Sequence, residues 1–337
     1  MTLLQTAVGV KDFKMEEFNR SESPNGQAGQ NNSNDKFQAK VMWPNVFFFI
    51  FLHIFGTYGV FKIFLFQMKF LTCIYTILIS YIVGISLTVG AHRLWSHRSF
   101  KVTLPLKIAL LVVQTSAGQN CVWIWARDHR LHHKYSDTDA DPHNSRRGFF
   151  FCHMGWLLVK KHPEVISKGK TIDMTDLTAD PWIMFQKRHY LKLYFIFGFL
   201  LPTVVPLFWQ ETLTNAFLAY LARYVSSLNA TWCVNSVAHF FGTKPFSKDI
   251  PPVESTFTSF FTSGEGWHNY HHTFPWDYKA AEFGAPLNGS TTFIDWCARH
   301  GLAYDLKFAT PEMVAHRIAT RGDGSHPSVI NKIEKTK

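Results

Sequence analysis

Three groups of closely spaced histidines are the residues of this chain best suited to chemistry. Two groups, His129–His133 and His268–His272, share the spacing H-x-x-H-H, and the third is His92–His97. Residues three and four positions apart share one face of a helix, so each H-x-x-H-H run directs three imidazoles to one spot. Neutral imidazole is the commonest metal ligand and suits zinc, copper, iron and nickel alike. The spacing therefore predicts a metal site without selecting the metal.

The number of clustered histidines indicates two metal ions. A structural zinc site needs about four ligands, often including Cys thiolates. The three groups hold eight histidines, and the five cysteines are scattered without C-x-x-C spacing. His92 and His97 are five residues apart, which does not align on a regular α-helix, so we expect an unwound helix end there. His239 follows Asn235 by one turn, and this pairing favours His239 as a further ligand.

The remaining histidines are interpreted as ordinary surface or packed residues. They are His53, His143, His153, His162, His189, His300, His316 and His326.

Long apolar segments predict that much of the chain lies in a bilayer. Four of them approach the roughly 20 residues needed to span it. They cover approximately residues 43–65, 70–91, 191–209 and 213–238. Short connections join them into two hairpins, and Pro202 and Pro206 are predicted to kink or end the third span. The apolar stretch 104–118 is shorter and is expected to dip into the membrane interface.

Charge and composition predict the orientation. The net charge is +10, and nearly all Lys and Arg lie before the first span, in the 92–190 segment or after the fourth span. By the positive-inside rule, both termini and all three histidine groups face the cytosol. Residues 1–40 are polar and are predicted to be a disordered tail, and 326–337 a C-terminal tail. No nucleic-acid-binding motif is visible, so the charge indicates cytosolic loops, acidic headgroups or an anionic substrate.

The histidine motifs resemble those of a known family. They read His92-Arg-Leu-Trp-Ser-His97, His129-Arg-Leu-His-His-Lys-Tyr-Ser-Asp-Thr-Asp-Ala-Asp-Pro-His-Asn and Gly264-Glu-Gly-Trp-His-Asn-Tyr-His-His272. They are similar to the three histidine boxes of the membrane acyl-CoA desaturases, and the closest resemblance is to the stearoyl-CoA desaturase type. The chain as a whole resembles the insect members of this family. The resemblance covers roughly Trp43 to Gly324.

The resemblance implies an all-α integral membrane protein with four transmembrane helices under a cytosolic helical cap. The desaturase domain would be residues 41–325, with the cap formed by 92–190 and 239–325. Nine histidines would bind two irons, and Asn235 would reach a metal through water. The nine are His92, His97, His129, His132, His133, His239, His268, His271 and His272.

The implied reaction removes two hydrogens from a saturated acyl-CoA, using O2 and two electrons, to leave a cis double bond. Iron suits this redox chemistry and zinc does not. No catalytic residue separate from the metal ligands is expected, and the groups beside the second box are predicted to orient imidazoles. These are Arg130, Asp137, Asp139 and Asp141. The chain has no His-Pro-Gly-Gly or G-x-G-x-x-G motif, so cytochrome b5 and its reductase in the endoplasmic reticulum are the implied electron donors.

The resemblance also implies a substrate site. The positions that match coenzyme A contacts of the family are Asn45, Asn120, Arg127, Asp128, Lys160, Lys161 and Trp232. Trp125 matches a residue that lines the bend of the acyl tunnel. Ser80 and Thr76 share a helix face with His92 and are predicted to close the tunnel at the methyl end.

Several alternatives remain open at this point. The double bond is expected at C9–C10, but relatives that act elsewhere, such as at C11 in pheromone synthesis, have the same motifs. A di-iron lipid hydroxylase, or a desaturase of sphingolipids or glycerolipids, would share eight histidines, whereas the ninth and the coenzyme A positions favour a thioester. A metal transporter would place its ligands near the bilayer midplane and not in cytosolic loops. Chain-length preference and oligomeric state are not determined by these patterns.

Overall fold

Helices form nearly all of the regular structure. The structure, a computed structural model, describes residues 39–335, and side chains as far as residue 331. The predicted N-terminal tail, residues 1–40, lies outside the described residues except for its last two. In chain order the α-helices are α1 (Trp43–Phe64), α2 (Phe70–Ile85), α3 (Leu104–Ser116), α4 (Val122–Tyr135), α5 (Phe149–His153), α6 (Pro163–Gly169), α7 (Thr175–Thr178), α8 (Pro181–Leu193), α9 (Leu201–Val204), α10 (Leu213–Asn235), α11 (Val237–Phe240), α12 (Thr256–Thr262), α13 (His268–Thr273), α14 (Gly289–Arg299), α15 (Pro311–Arg321) and α16 (Pro327–Lys335).

Two π-helical segments extend the apolar helices. The first, Ser86–Ser96, continues α2, and the second, Tyr194–Leu200, joins α8 to α9. Short 3₁₀ turns occupy Ser145–Arg147, Gly155–Leu157 and Val205–Trp209.

Three continuous helices in the described part of the chain are long and apolar enough to cross a membrane. They are Trp43–Phe64, Phe70–Ser96 and Pro181–Trp209. The third begins ten residues before the predicted residue 191, because the Asp180 side chain accepts hydrogen bonds from the N–H groups of Trp182 and Ile183 and caps a helix there. Pro202 does not end this helix, since the chain remains helical and changes from π to α geometry just before it.

The fourth predicted span corresponds to α10, which is long but more polar. It carries Arg223 near its middle, and within the described residues it is not among the three candidate spans. Phe49 and Leu52 of α1 pack against Leu221 and Val225 of α10 in one buried apolar cluster. The helix is therefore enclosed by its neighbours and exposes less apolar surface than they do.

The first π-helical segment corrects the expectation of an unwound helix end at the first histidine group. Its backbone remains helical, and the N–H of His97 donates to the carbonyl of His92, five residues earlier, at 3.1 Å. A π-helix makes i to i+5 bonds, so residues five apart lie over one another. The rings of His92 and His97 are 4.9 Å apart between centroids. The five-residue spacing that fails on an α-helix is therefore the spacing that a π-helix requires.

A small sheet and an apolar core hold the cap to this segment. Strands β1 (Lys101–Val102) and β2 (Ala303–Tyr304) pair antiparallel. Beneath them, Val89 and Leu94 of the π-helical segment belong to a buried cluster that also contains Ile294 of α14. The late part of the chain is thus packed directly onto the element that carries the first two histidines.

Close approach of α1 and α10 depends on glycine, as is common where helices pack through small residues. A methyl group at Gly59 would overlap the backbone carbonyl of Leu218, whereas nothing lies within 4 Å of one added at Gly84 of α2. We expect Gly59→Ala to lower the free energy of unfolding by about 1–3 kcal/mol. Gly84→Ala should be neutral or stabilise by up to about 1 kcal/mol, because Ala favours helix.

Thermal unfolding of the two variants in detergent measures this difference. Equal midpoints for Gly59→Ala and Gly84→Ala would contradict the proposed helix contact.

Candidate metal centre

The structure brings all nine predicted histidine ligands together in two neighbouring groups. Within each group, the nitrogen atoms that could bind a metal lie within 4.8 Å of one another. The first group is His92, His97, His129, His133 and His271, and the second is His132, His239, His268 and His272. These histidines come from the first π-helical segment and the residue directly after it, and from α4, α11 and α13. No single element could supply either group.

The geometry within the groups fits metal ligation. The Nε2 atoms approach in pairs, at 2.8 Å between His97 and His129, 2.9 Å between His92 and His271, and 3.0 Å between His133 and His271. Nitrogens about 2.1 Å from one ion would be separated by about 3.0–3.4 Å at octahedral or tetrahedral angles. The Nε2 atom of His239 is buried and has no hydrogen-bond partner among the described residues. An imidazole set of this kind suits a transition metal.

Burial keeps most of these imidazoles neutral, which is the form that binds a metal. It lowers the pKa of six of them, and neighbouring histidines lower the pKa further, because charges so close together would repel. The six are His97, His129, His133, His268, His271 and His272. His132 differs. Burial lowers its pKa, but the Asp141 carboxylate outweighs burial and raises it overall.

Three buried carboxylates fix the orientation of individual rings. Asp141 lies 2.8 Å from Nδ1 of His132, and Asp137 lies 3.3 Å from Nδ1 of His239. Glu265 lies 2.6 Å from Nδ1 of His92. A carboxylate on Nδ1 leaves Nε2 free to face a metal and makes it more basic. The structure thus agrees with the orienting role predicted for Asp137 and Asp141.

Glu265 is an orienting residue that the sequence reasoning missed. It also pairs with the buried Arg93 at 2.8 Å. Burial alone would raise its pKa, but Arg93 and His92 outweigh burial and lower the pKa to about 2. The sequence contained a signal for this role, because Glu265 lies in Gly264-Glu-Gly-Trp-His268, directly before the third histidine group.

Two other groups near the second box do not contact imidazoles in the expected way. Arg130 donates to the carbonyls of Trp95 and Ser96, at 2.6 and 3.1 Å, and so ties α4 to the end of the first π-helical segment. Asp139 is exposed. In contrast, His143, which was interpreted as ordinary, lies beside His132, with 4.4 Å between the two ring centroids. Its Nδ1 atom is 3.4 Å from a carboxylate oxygen of Asp141. Its place in Asp141-Pro-His143 was the available signal.

A cavity begins at the first metal group and extends among apolar and aromatic side chains. Its wall includes His129 and Trp125, whose rings stack at 5.1 Å. Predicted substrate residues line the same cavity, together with the predicted water-mediated ligand. They are Asn120, Trp125, Asp128, Trp232 and Asn235. A histidine cluster that could bind metal, with an adjoining, largely apolar cavity, suits chemistry on a long apolar molecule.

Comparison with known proteins identifies the family of this chain. The family model for fatty acid desaturases matches residues 68–282. An acyl-CoA Delta-9 desaturase of Acheta domesticus is 51% identical over 295 residues, covering 87% of this chain and 82% of the relative. The chain belongs to the fatty acid desaturase family. The desaturase is also 48% identical to the stearoyl-CoA desaturase of Homo sapiens, with 86% of this chain and 81% of the relative covered. An acyl-CoA Delta(11) desaturase of Trichoplusia ni is 48% identical, with coverages of 85% and 82%.

Three of the seven predicted coenzyme A residues of the desaturase form an ion-pair network at one side of the cavity. Asp128 accepts hydrogen bonds from Arg127 at 2.7 Å and from Lys161 at 2.6 Å. Burial would raise the pKa of Asp128, but these two cations outweigh it and lower the pKa to about 2. Asn45 is buried and donates to the carbonyl of Leu157 at 2.7 Å, and Lys160 is exposed.

The two residues predicted to close the acyl tunnel lie along α2. Each hydroxyl is bonded within the helix, Thr76 to the carbonyl of Thr72 at 2.7 Å and Ser80 to that of Thr76 at 2.6 Å. The cavity described above is lined instead by residues of α1, α8, α10 and the second π-helical segment, and by Gly118–Asn120 after α3, besides those near the metal groups. The role of Ser80 and Thr76 stays a prediction.

One half-buried acid, Glu254, supports the third histidine group from behind. Glu254 accepts a hydrogen bond from the N–H of Tyr270, at 2.7 Å, and burial raises its pKa to about 8. Because the unfolded chain loses this proton near pH 4.5 and the folded chain near pH 8, stability should fall as the pH rises between these values. The slope is at most about 1.4 kcal/mol per pH unit. We expect Glu254→Gln to lack this dependence, because an amide keeps the acceptor and does not ionise.

Unfolding midpoints in detergent, measured from pH 5 to 9 for both proteins, test this. The difference between the two proteins should change across the range, and parallel curves would show that Glu254 is ionised in the folded desaturase.

Proposed function

We propose that the chain is a di-iron acyl-CoA desaturase that introduces a cis double bond into a saturated long-chain acyl-CoA. The observation that carries this proposal is the assembly of nine histidines in two groups at the end of an aromatic-lined cavity. In the reaction two hydrogens leave adjacent carbons, and two electrons and two protons complete the reduction of O2 to two waters. The membership of the chain in the desaturase family supports this reaction.

The nine histidines would hold two irons, one in each group. Asn235, which lines the cavity, would reach the second iron through a water molecule. Iron would supply the oxygen-dependent oxidation, which zinc cannot, because zinc has no redox chemistry. Asp137, Asp141 and Glu265 hold three of the rings with Nε2 facing inward. This fixed arrangement costs no reorganisation when a metal binds.

The remaining residues of the cavity would position the substrate. Trp125 stacks on His129, so an acyl chain that passes Trp125 lies against a metal ligand. Trp232 is buried and packs against His53 and His153, which keeps its ring fixed in the wall. Excluding water and holding the chain in one register are the contributions that a protein makes to cofactor chemistry of this kind. Ser80 and Thr76 would close the path for longer chains deeper along α2.

The coenzyme A moiety would lie at the Arg127, Asp128 and Lys161 network. Arg and Lys suit phosphate, and Arg adds forked geometry. Four further residues would contact the coenzyme A moiety there, as the family resemblance implies. They are Asn45, Asn120, Lys160 and Trp232.

The membrane arrangement would consist of four spans in two hairpins, with both termini and the helical cap on the cytosolic side of the endoplasmic reticulum. Helix α10 would be the fourth span, since it packs against the long apolar helix α1 along its length. The cap would be residues 92–190 and 239–325 within a desaturase domain of 41–325. Electrons would come from cytochrome b5 and its reductase, because the chain has no motif for a flavin, nicotinamide or haem.

The double bond would be placed at C9–C10. Relatives named as Delta-9, Delta12 and Delta(11) desaturases are all similar to this chain, so a position other than C9–C10, such as C11, is the alternative. The experiment is expression in a yeast that lacks its own desaturase, followed by location of the double bond in the cellular lipids. Growth without added unsaturated fatty acid is expected, with a C9–C10 product. Hydroxylated lipids, or no new lipid at all, would contradict the proposed reaction.

Removing one ligand should remove metal as well as activity. We expect His132→Ala, His239→Ala and His271→Ala each to lose most of the bound iron and to lower turnover by about a hundredfold or more, because ligand loss opens the centre. The exposed His316→Ala is the control and should keep both. Iron per purified chain, measured by elemental analysis, checks this. Full iron in His239→Ala would remove His239 from the site.

Neutralising the basic network should weaken substrate binding. We expect Arg127→Gln and Lys161→Gln to raise the KM for acyl-CoA by about tenfold, which corresponds to about 1.4 kcal/mol for a lost phosphate contact. The defect should shrink as salt rises, since salt weakens the wild-type contacts too. Lys248→Gln, on an exposed loop, is the control. If KM stays unchanged while reduction by the electron donor slows, this network binds the donor instead.

A further inference from the structure

An arginine lies in the middle of the most enclosed long helix. Arg223 of α10 is 2% exposed. Its Nη2 atom donates to the carbonyls of Ser116 and Gly198, both at 3.2 Å. Its Nε and Nη1 atoms have no hydrogen-bond partner among the described residues. Burying a charge in apolar surroundings is costly, and an apolar residue would pack more cheaply. Such a residue calls for an explanation beyond stability.

The two carbonyls that Arg223 binds are ones that their own helices leave available. Ser116 is the last residue of α3, where carbonyls have no helical partner. Gly198 lies four residues before Pro202, which has no N–H to return to it. Arg223 therefore joins the end of α3 and the second π-helical segment to α10.

Three tyrosines complete this junction. The hydroxyl of Tyr224, next to Arg223, donates to the carbonyl of Gly118 at 3.0 Å. The hydroxyls of Tyr194 and Tyr220 are 2.8 Å apart, and Tyr194 lies one turn before Gly198. The end of α3 and the second π-helical segment are thus each bonded to α10 through both the guanidinium and a phenol.

The same junction is one wall of the cavity that begins at the metal groups. Gly118, Tyr194 and Tyr224 line it, together with Trp125 and His129. The wall is tightly packed, since a methyl group at Gly118 would lie 2.9 Å from the rings of both Tyr194 and Tyr224. A shift of either ring would therefore change the width of the cavity directly.

We propose that Arg223 is a positioning residue that fixes Tyr194 and Tyr224 as a wall of the acyl channel, and that this wall selects the length of the acyl chain. The inference rests on the proposed function, because an acyl chain must occupy this cavity. Tyr194 and Tyr224 would contact the chain, whereas Arg223 acts through them. Chain-length selectivity of roughly tenfold or more is what differences of a few methylenes produce in a well-packed apolar site.

The test compares how the protein discriminates between acyl chains. Myristoyl-, palmitoyl- and stearoyl-CoA compete with a labelled stearoyl-CoA for the purified holoenzyme, and kcat/KM is measured for each. Arg223→Met removes the charge at similar volume, and Arg223→Lys keeps a donor. Tyr224→Phe removes only the hydroxyl, and Ser226→Met, on the exposed side of α10, is the matched control.

We expect Arg223→Met and Tyr224→Phe to change the stearoyl-to-myristoyl ratio by about tenfold in the same direction. Arg223→Lys should restore most of the wild-type ratio, and Ser226→Met should keep it. A loss of activity that is equal for all three chains would indicate a purely structural role and overturn the inference. If Arg223→Met does not fold, Tyr224→Phe decides by the same ratio. A wild-type protein that binds no acyl-CoA would instead refute the proposed function, which this design separates from the failure of the inference.

Discussion

Nine imidazole rings meet in a volume from which most water is excluded, and these surroundings disfavour a positive charge on six of them. Burial and mutual repulsion lower the pKa of these six histidines, so they are neutral nitrogen donors before any metal arrives. At His92, which is held by Glu265, the negative charge of the carboxylate is compensated by the neighbouring cation Arg93. Neutral donors with fixed Nδ1 partners are what a redox metal centre requires.

The same constraint explains the unusual backbone beneath the cluster. His92 and His97 can face one centre only if residues five apart lie over one another, and the first π-helical segment provides this spacing. That geometry is poorer than an α-helix and needs support from elsewhere. Arg130 of α4 supplies it by binding the carbonyls of Trp95 and Ser96, while α14 packs against the apolar side of the segment. Ligands and their scaffold are therefore held by the same contacts.

Much of this arrangement could be predicted from the sequence, because it depends on local patterns. The spacing H-x-x-H-H, the apolar runs and the position of His239 after Asn235 each specify a feature that the structure contains. The π-helix at His92 could not be predicted, since its bonds are stabilised by residues far along the chain. His143 was set aside as a lone histidine, and only folding places it beside His132. The contacts of Arg223 could not be predicted either, because its partners Ser116 and Gly198 lie on other helical segments.

The central claim is that the two histidine groups bind two iron ions through nitrogen. Iron-edge X-ray absorption on the purified wild-type protein, combined with elemental analysis of the same sample, tests it most directly. The account predicts two irons per chain whose nearest scatterers are nitrogen and oxygen, with multiple scattering typical of imidazole. A single metal per chain, zinc in place of iron in an active sample, or a sulfur scatterer at the iron would contradict it.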